Sequence, residues 1–307
     1  MRLPEQVKVW EVGPRDGLQN EPSVLPTADK IAWIDSLTDA GLPFIEVSSF
    51  VNPAWIPQLA DAAEVFAGIR KRPGVVYSAL VPNERGLERA LATGVNAIAV
   101  FMSASETHNK RNINKTIAQT YPVLREVTRT AKEQGVFVRG YVSTVFGCPY
   151  EGAIAVDQVS RVALRLLEDG VDEISLGDTI GVATPADTER VLEALLKHIP
   201  TNRLALHMHD TRGTALANIL VGLTMGVTTF DSALGGLGGC PYAPGASGNV
   251  ATDDLVYMLE GLGILSGIRS QSLERPLAEL RRVVGHSLRS HASAVQFSDG
   301  GMECGSV

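Results

Sequence analysis

Eight short runs rich in β-branched and aromatic residues alternate along this chain with longer amphipathic stretches, and that alternation constrains the fold more than any other feature. The β-rich runs lie at 7–12, 44–49, 75–81, 97–102, 136–144, 173–176, 204–209 and 228–233. Between them, apolar spacing predicts helices at 27–40, 57–69, 85–93, 117–134, 154–169, 185–197 and 214–225. Five of these meet a glycine suited to the left-handed conformation that closes a helix, Gly41, Gly94, Gly135, Gly170 and Gly226, and the next strand begins almost at once. Strands that alternate with helices make a parallel sheet. An open doubly wound sheet would show the same alternation but more often stops at five or six strands, whereas eight is the number at which such a sheet closes. The expected fold is therefore α/β: a (β/α)8 TIM barrel with additional C-terminal helices. At 307 residues, one catalytic domain spanning 1–307 accommodates the chain. Within it, about 251–297 reads as a helical extension, including 253–260 and 276–289, and 298–307 reads as a loose tail.

Composition narrows the kind of partner. Hydrophobic residues make up 45% of the sequence and charged ones 20%, ordinary for a chain that buries a large core. The net charge of -7 argues against nucleic acid and against an anionic membrane surface, because both need clustered Lys and Arg. No apolar run has the length of a membrane span and no leader segment is visible, so the expected setting is the cytoplasm and the expected partner a small molecule. Three cysteines, Cys148, Cys240 and Cys304, with no Cys-x-x-Cys pair, make neither a disulfide framework nor a thiolate zinc site.

Barrel chemistry is built at the carboxyl ends of the strands, so the polar residues there carry the functional reading. The seventh run, Leu-Ala-Leu-His-Met-His-Asp, puts His207 and His209 two residues apart; in an extended chain both point to the same face and converge on one ion. A pair of solvent-facing or core histidines is the competing reading, and the residues nearby weigh against it. The first strand runs into Glu11-Val12-Gly13-Pro14-Arg15-Asp16-Gly17-Leu18-Gln19-Asn20-Glu21, far more charge than a plain turn needs. In the second strand Glu46 falls opposite the aliphatic residues, and a carboxylate directed into a barrel requires Arg15 or a cation beside it. In the fifth, Arg139, Tyr141 and Ser143 share a face, again placing polar groups inside. After the eighth strand comes a long Gly-rich loop, 235–249, whose glycines fit neither a dinucleotide nor a P-loop spacing and which reads as a lid. Cys240, within that loop, reads as a reactive thiol; Cys148 is equally consistent with packing.

The segments Gly13-Pro14-Arg15-Asp16-Gly17-Leu18-Gln19-Asn20-Glu21, His207-Met208-His209-Asp210 and Gly238-Gly239-Cys240-Pro241-Tyr242-Ala243-Pro244-Gly245-Ala246-Ser247-Gly248-Asn249 together resemble the 3-hydroxy-3-methylglutaryl-CoA lyase family, over nearly the whole chain. The resemblance implies a divalent cation, Mg²⁺ or Mn²⁺, held by Asp16, His207, His209 and Asn249. Taken by themselves, two imidazoles and a carboxylate equally describe the facial triad of non-haem iron enzymes. The resemblance further implies a metal-assisted retro-Claisen cleavage giving acetyl-CoA and acetoacetate. In that reaction Arg15 would stabilise an enolate oxygen, Asp16 would act as ligand and proton acceptor, Glu46 would orient Arg15, and Cys240 would approach on the loop. Gln19, Arg139, Tyr141, Ser175 and Thr179 are further candidates for holding the acyl group. An acyl-CoA partner and a homodimer follow from the same likeness. One departure is Pro53-Ala54-Trp55, where these lyases usually carry Pro-Lys-Trp; with that charge gone, CoA contacts and acyl preference do not transfer. The alternatives are a lyase for a longer 3-hydroxy-3-alkylglutaryl-CoA and a condensing synthase of the same superfamily. The synthase is the weaker of the two, because the residues after Asn249 are few for its usual extra domain. A barrel that has lost catalysis and only binds is the third reading, and the full set of ligands and charged helpers speaks against it.

Overall fold

In the computed structural model, which describes residues 3–239 and 248–296, eight parallel strands pair in sequence order. The strands are β1 (Lys8–Glu11), β2 (Phe44–Ser49), β3 (Val76–Leu80), β4 (Ala97–Ser103), β5 (Phe137–Ser143), β6 (Glu173–Gly177), β7 (Leu204–His207) and β8 (Thr229–Ser232). Pairing of β1 with both β2 and β8 closes the sheet, with Glu11 opposite Ile45 on one side and Ser232 on the other. The helices are α1 (Thr27–Asp39), α2 (Ala62–Gly68), α3 (Glu84–Leu91), α4 (Glu106–Ile113), α5 (Ile117–Glu133), α6 (Val156–Glu168), α7 (Pro185–Leu195), α8 (Ala215–Thr224), α9 (Thr252–Gly261), α10 (Glu274–Val284) and α11 (His291–Gln296). The expected closed α/β barrel with C-terminal helices is what forms. The five glycines read as helix closers all have positive φ, from 71° at Gly135 to 99° at Gly170. The loose-tail reading of 298–307, with Cys304, falls outside the described residues.

Two layers of side chains hold the barrel. Outward-facing Val9, Ile45, Ile98, Val138, Ile174, Leu206 and Phe230 pack under the helices in one continuous apolar core. The interior is largely ionic instead. Arg139 on β5 donates to Glu173 on β6 at 2.7 Å and to Asp231 on β8 at 2.8 Å. Because β5 and β8 are not neighbours, the second bond crosses the barrel, and Arg139 also lies over the Trp10 ring at 4.4 Å. A guanidinium this deep requires both carboxylates: losing either would leave an uncompensated buried charge.

Three local features depart from the sequence reading. The β2 register with β3 shifts between Glu46 and Ser48, so strict alternation holds as far as Glu46 and then breaks at a bulge, a common device beside active sites. The seventh strand stops at His207 instead of His209, because Met208 and Asp210 bond to the returning chain: Val250 N donates to Met208 O and Asp210 N to Gly248 O, each at 2.9 Å. Helix α4 was not foreseen from apolar spacing. Its sequence, Glu-Thr-His-Asn-Lys-Arg-Asn-Ile, is almost wholly polar, yet Ser105 caps its start by accepting from His108 N and Asn114 ends it at φ 54°. Those two caps were its visible signal.

Candidate metal and substrate site

The chain leaving β1 tightens into a single turn, Gly13–Gly17, in which the Asp16 and Gly17 amides both donate to Val12 O. Small residues make this turn possible. A Cβ at Gly13 would lie 2.5 Å from a Glu11 carboxylate oxygen, and one at Gly17 would lie 2.8 Å from Leu237. The turn delivers Arg15 and Asp16 to the carboxyl mouth of the barrel. There Arg15 Nε donates to Glu46 Oε2 at 2.6 Å and Arg15 Nη1 to Asp16 Oδ1 at 2.5 Å. Tyr141 Oη donates to the same Glu46 oxygen at 3.3 Å, and the Arg15 guanidinium sits over the Tyr141 ring. The inward carboxylate of β2 thus has the partner its sequence position demanded.

His207, at the end of β7, and His209, two residues on, bring their Nε2 atoms to 3.3 Å from each other. His207 Nε2 is also 3.8 Å from Asp16 Oδ2. The donor atoms of Asp16, His207 and His209 all lie within 4.8 Å of one another, a group that could hold a metal ion. Asn249 joins them because the returning strand pairs it with His209 in an antiparallel bridge; its Nδ2 donates to Asp16 Oδ2 at 2.8 Å. Its Oδ1 is buried and has no hydrogen-bond partner among the described residues, which leaves an acceptor free at this point. Gln19 completes the ring, donating to Asp16 Oδ1 at 2.9 Å.

The electrostatics suit ligands. Burial works to raise the Asp16 pKa, but Arg15, His207 and His209 outweigh it and hold the carboxyl well below its usual range, so it is anionic. Burial, with His207 beside it, pushes His209 down to about 4, so its ring is neutral at physiological pH. Burial raises Glu46 despite Arg15, and raises the Tyr141 phenol well above 10, which keeps that hydroxyl a donor. Mixed carboxylate, amide and imidazole donors of this kind fit a divalent cation.

Beside the cluster opens a cavity of about 740 Å³ lined by Arg15, Asp16, Gln19, Tyr141, Thr179, His207 and His209 on its polar side. Leu80, Phe101, Ile113, Val123 and Val142 form the apolar side, with Trp55 among the lining residues and 69% exposed. Two acyl-holding candidates lie elsewhere: neither Arg139 nor Ser175 lines the cavity, and both are fully engaged below it, Ser175 Oγ donating to Asp231 Oδ2 at 2.7 Å. Thr179 lines the cavity and accepts from Thr144 N at 2.8 Å. Cys240 lies outside the described residues, whereas Gly239 before it lines the cavity. Cys148 is buried, its thiol donating to Ser105 Oγ at 3.0 Å. Sequence reasoning missed Asp231 and passed over Glu11. Asp231 appears in Thr-Thr-Phe-Asp-Ser as one more polar residue in a strand; the pairing of β7 with β8 sets it beside His207, and the closed barrel brings it to Arg139.

A closed parallel barrel with a cavity at its carboxyl mouth, and beside it an Asp-His-His cluster that could hold a metal ion, is the arrangement of a barrel enzyme. The model of the HMGL-like family matches residues 6–280, and the chain belongs to that family. It is 53% identical over 290 residues to the hydroxymethylglutaryl-CoA lyase of Bacillus subtilis, covering 94% of this chain and 97% of that one. It is 51% identical to the 3-hydroxy-3-isohexenylglutaryl-CoA/hydroxy-methylglutaryl-CoA lyase of Pseudomonas aeruginosa, covering 95% and 98%. The crystal structure of the Bacillus subtilis HMG-CoA lyase superposes with a TM-score of 0.95 at 53% identity, over 96% of this chain and 99% of that one. Among the described residues no helix is long and apolar enough to cross a membrane.

Proposed function

We propose that this chain is a carbon–carbon lyase that cleaves 3-hydroxy-3-methylglutaryl-CoA to acetyl-CoA and acetoacetate, as a single catalytic domain acting in the cytoplasm as a homodimer. The observation that carries the reading is the juxtaposition of a cation-ready Asp16-His207-His209 cluster with a guanidinium, Arg15, locked by Glu46 over the same cavity. Asp16, His207, His209 and Asn249 would hold Mg²⁺ or Mn²⁺. That ion supplies Lewis acidity, lowering the pKa of the substrate's tertiary hydroxyl. The chain's own residues do the rest. Arg15 cannot lose its proton at working pH: burial works to lower its pKa, but Glu46 and Asp16 outweigh that and raise it, so it serves as a fixed positive charge where negative charge develops on the thioester oxygen as the C2–C3 bond breaks. Asp16, held anionic, would serve as ligand and would accept the proton that leaves the tertiary hydroxyl. Tyr141 and Gln19 fix the Glu46 and Asp16 oxygens, and Thr179 faces the acyl group. Cys240, next to cavity-lining Gly239, is the candidate to protonate the enolate. Arg139 and Ser175, below the cavity, serve the acyl group only through other residues.

Exposed Ala54, in the turn before Trp55, leaves CoA to be held by other residues at that mouth. Incubating the purified protein with 3-hydroxy-3-methylglutaryl-CoA and Mg²⁺, and identifying products by mass spectrometry, tests the function. Equimolar acetyl-CoA and acetoacetate are expected; free CoA from thioester hydrolysis, or intact substrate, would overturn it.

A further inference from the structure

Asp231 is buried in the floor of the barrel and makes three bonds with three different residues. Its Oδ1 accepts from Arg139 Nη2 at 2.8 Å; its Oδ2 accepts from Ser175 Oγ at 2.7 Å and lies 3.2 Å from His207 Nδ1. Its own strand position is fixed on both sides, opposite Trp10 of β1 and His207 of β7. Because this carboxylate has only acceptor capacity toward His207, the ring must place its proton on Nδ1. That leaves the Nε2 lone pair pointing at His209 and Asp16, where a cation would sit. Arg139 is held in turn from its other edge by Glu173, 2.7 Å away, and from its face by Trp10. The chain of contacts from Trp10 and Glu173 through Arg139 to Asp231 therefore ends on a single nitrogen of His207.

From this geometry we infer that Asp231 is a positioning residue that fixes the tautomer and orientation of His207, and that Arg139 and Ser175 act by holding Asp231 in place. The inference rests on the reading of Asp16, His207 and His209 as a cation site. Carboxylates behind ligating histidines typically contribute 10–100-fold to metal affinity. Without Asp231 the imidazole keeps its place on β7 but gains a second tautomer, with the Nε2 proton directed into the site. A carboxylate bonded only for packing would leave the tautomer unaffected.

Two measurements test it. In metal-free wild-type protein, at a pH where the spectrum shows the His207 ring neutral, ¹⁵N-histidine NMR should find its Nδ1 protonated and Nε2 bare; a neutral ring protonated on Nε2 would overturn the inference with no variant needed. Calorimetric titration with Mn²⁺ should give about a 10–100-fold loss of affinity in Asp231→Asn and a smaller loss, a few-fold, in Ser175→Ala, with Asp231→Glu recovering part of it. A folded Asp231→Asn that binds Mn²⁺ like wild type would equally overturn it. Should Asp231→Asn fail to fold, Ser175→Ala and the wild-type spectrum still decide. A wild-type protein that binds no Mn²⁺ at all would sink the cation reading itself, while the tautomer measurement continues to report on Asp231.

Discussion

Arg15 and Glu46 illustrate how one residue can carry both stability and chemistry. The pair is buried, Arg15 5% and Glu46 1% exposed, so truncating one partner strands the other's charge. Arg15→Gln is expected to lower stability by on the order of 3 kcal/mol and kcat by about 10²–10³, with KM and Mn²⁺ content near wild type. The double variant Arg15→Gln/Glu46→Gln separates the two roles. It should regain most of the stability, as measured by urea unfolding, and none of the kcat, because neutral amides satisfy each other but offer no positive charge to the transition state. Recovery of kcat together with stability would make Arg15 a structural residue. Thiol chemistry is a second residue-scale test. Cys148 is buried against Ser105, so iodoacetamide should label Cys240 before Cys148, and substrate should slow that labelling. Preferential labelling of Cys148, mapped by mass spectrometry, would remove Cys240 from the site.

At the scale of elements, Glu11 ties together three segments that frame the mouth. Its Oε1 accepts from Gly13 N at 2.8 Å and Leu234 N at 3.0 Å, and its Oε2 from Thr252 Oγ1 at 2.6 Å. It thereby joins β1 and the Arg15–Asp16 turn to the chain after β8 and to the first turn of α9. Burial raises its pKa to about 7, with those hydrogen bonds offsetting part of the rise. A folded pKa above the unfolded value of about 4.5 means that the group's contribution is complete below that value. It declines as pH rises, and is lost above about 7. Wild type should therefore lose roughly 3 kcal/mol relative to Glu11→Gln between pH 4.5 and pH 9, read from urea unfolding at both pH values; parallel pH profiles for the two proteins would contradict this. The neck of the Gly-rich loop is a second such element. A Cβ at Gly248 would meet the Gly238 backbone carbon at 2.4 Å, and Gly238 itself has φ 118°. Gly248→Ala should displace Asn249 and cut kcat/KM at least tenfold while leaving the melting temperature nearly unchanged, because the barrel core is untouched. Full activity in that variant would mean the neck tolerates displacement.

For the whole molecule, the barrel was legible because its signal is repeated. Strand follows helix again and again, five times through a glycine that closes the helix, and no single misplaced boundary can hide that alternation. The His207–His209 pair was legible from its two-residue spacing in a strand, and the Arg15–Glu46 pair because a carboxylate turned into a barrel demands a partner. What escaped was long-range or non-periodic. Asp231 meets Arg139 across 92 residues, α4 has almost no apolar face, and the bulge after Glu46 depends on β3. Arg139 and Ser175 share an inward face with Tyr141, as alternation implies, but alternation does not report depth, and both lie below the cavity floor. We propose that this architecture cleaves its substrate only with a divalent cation at Asp16, His207 and His209. It is tested most directly by titrating Mn²⁺ into chelator-treated protein while following acetyl-CoA formation. Activity should be absent without metal, rise in proportion to occupancy, and saturate at one ion per chain, with His207→Ala unable to follow that curve. Full turnover in the metal-free protein would contradict the account.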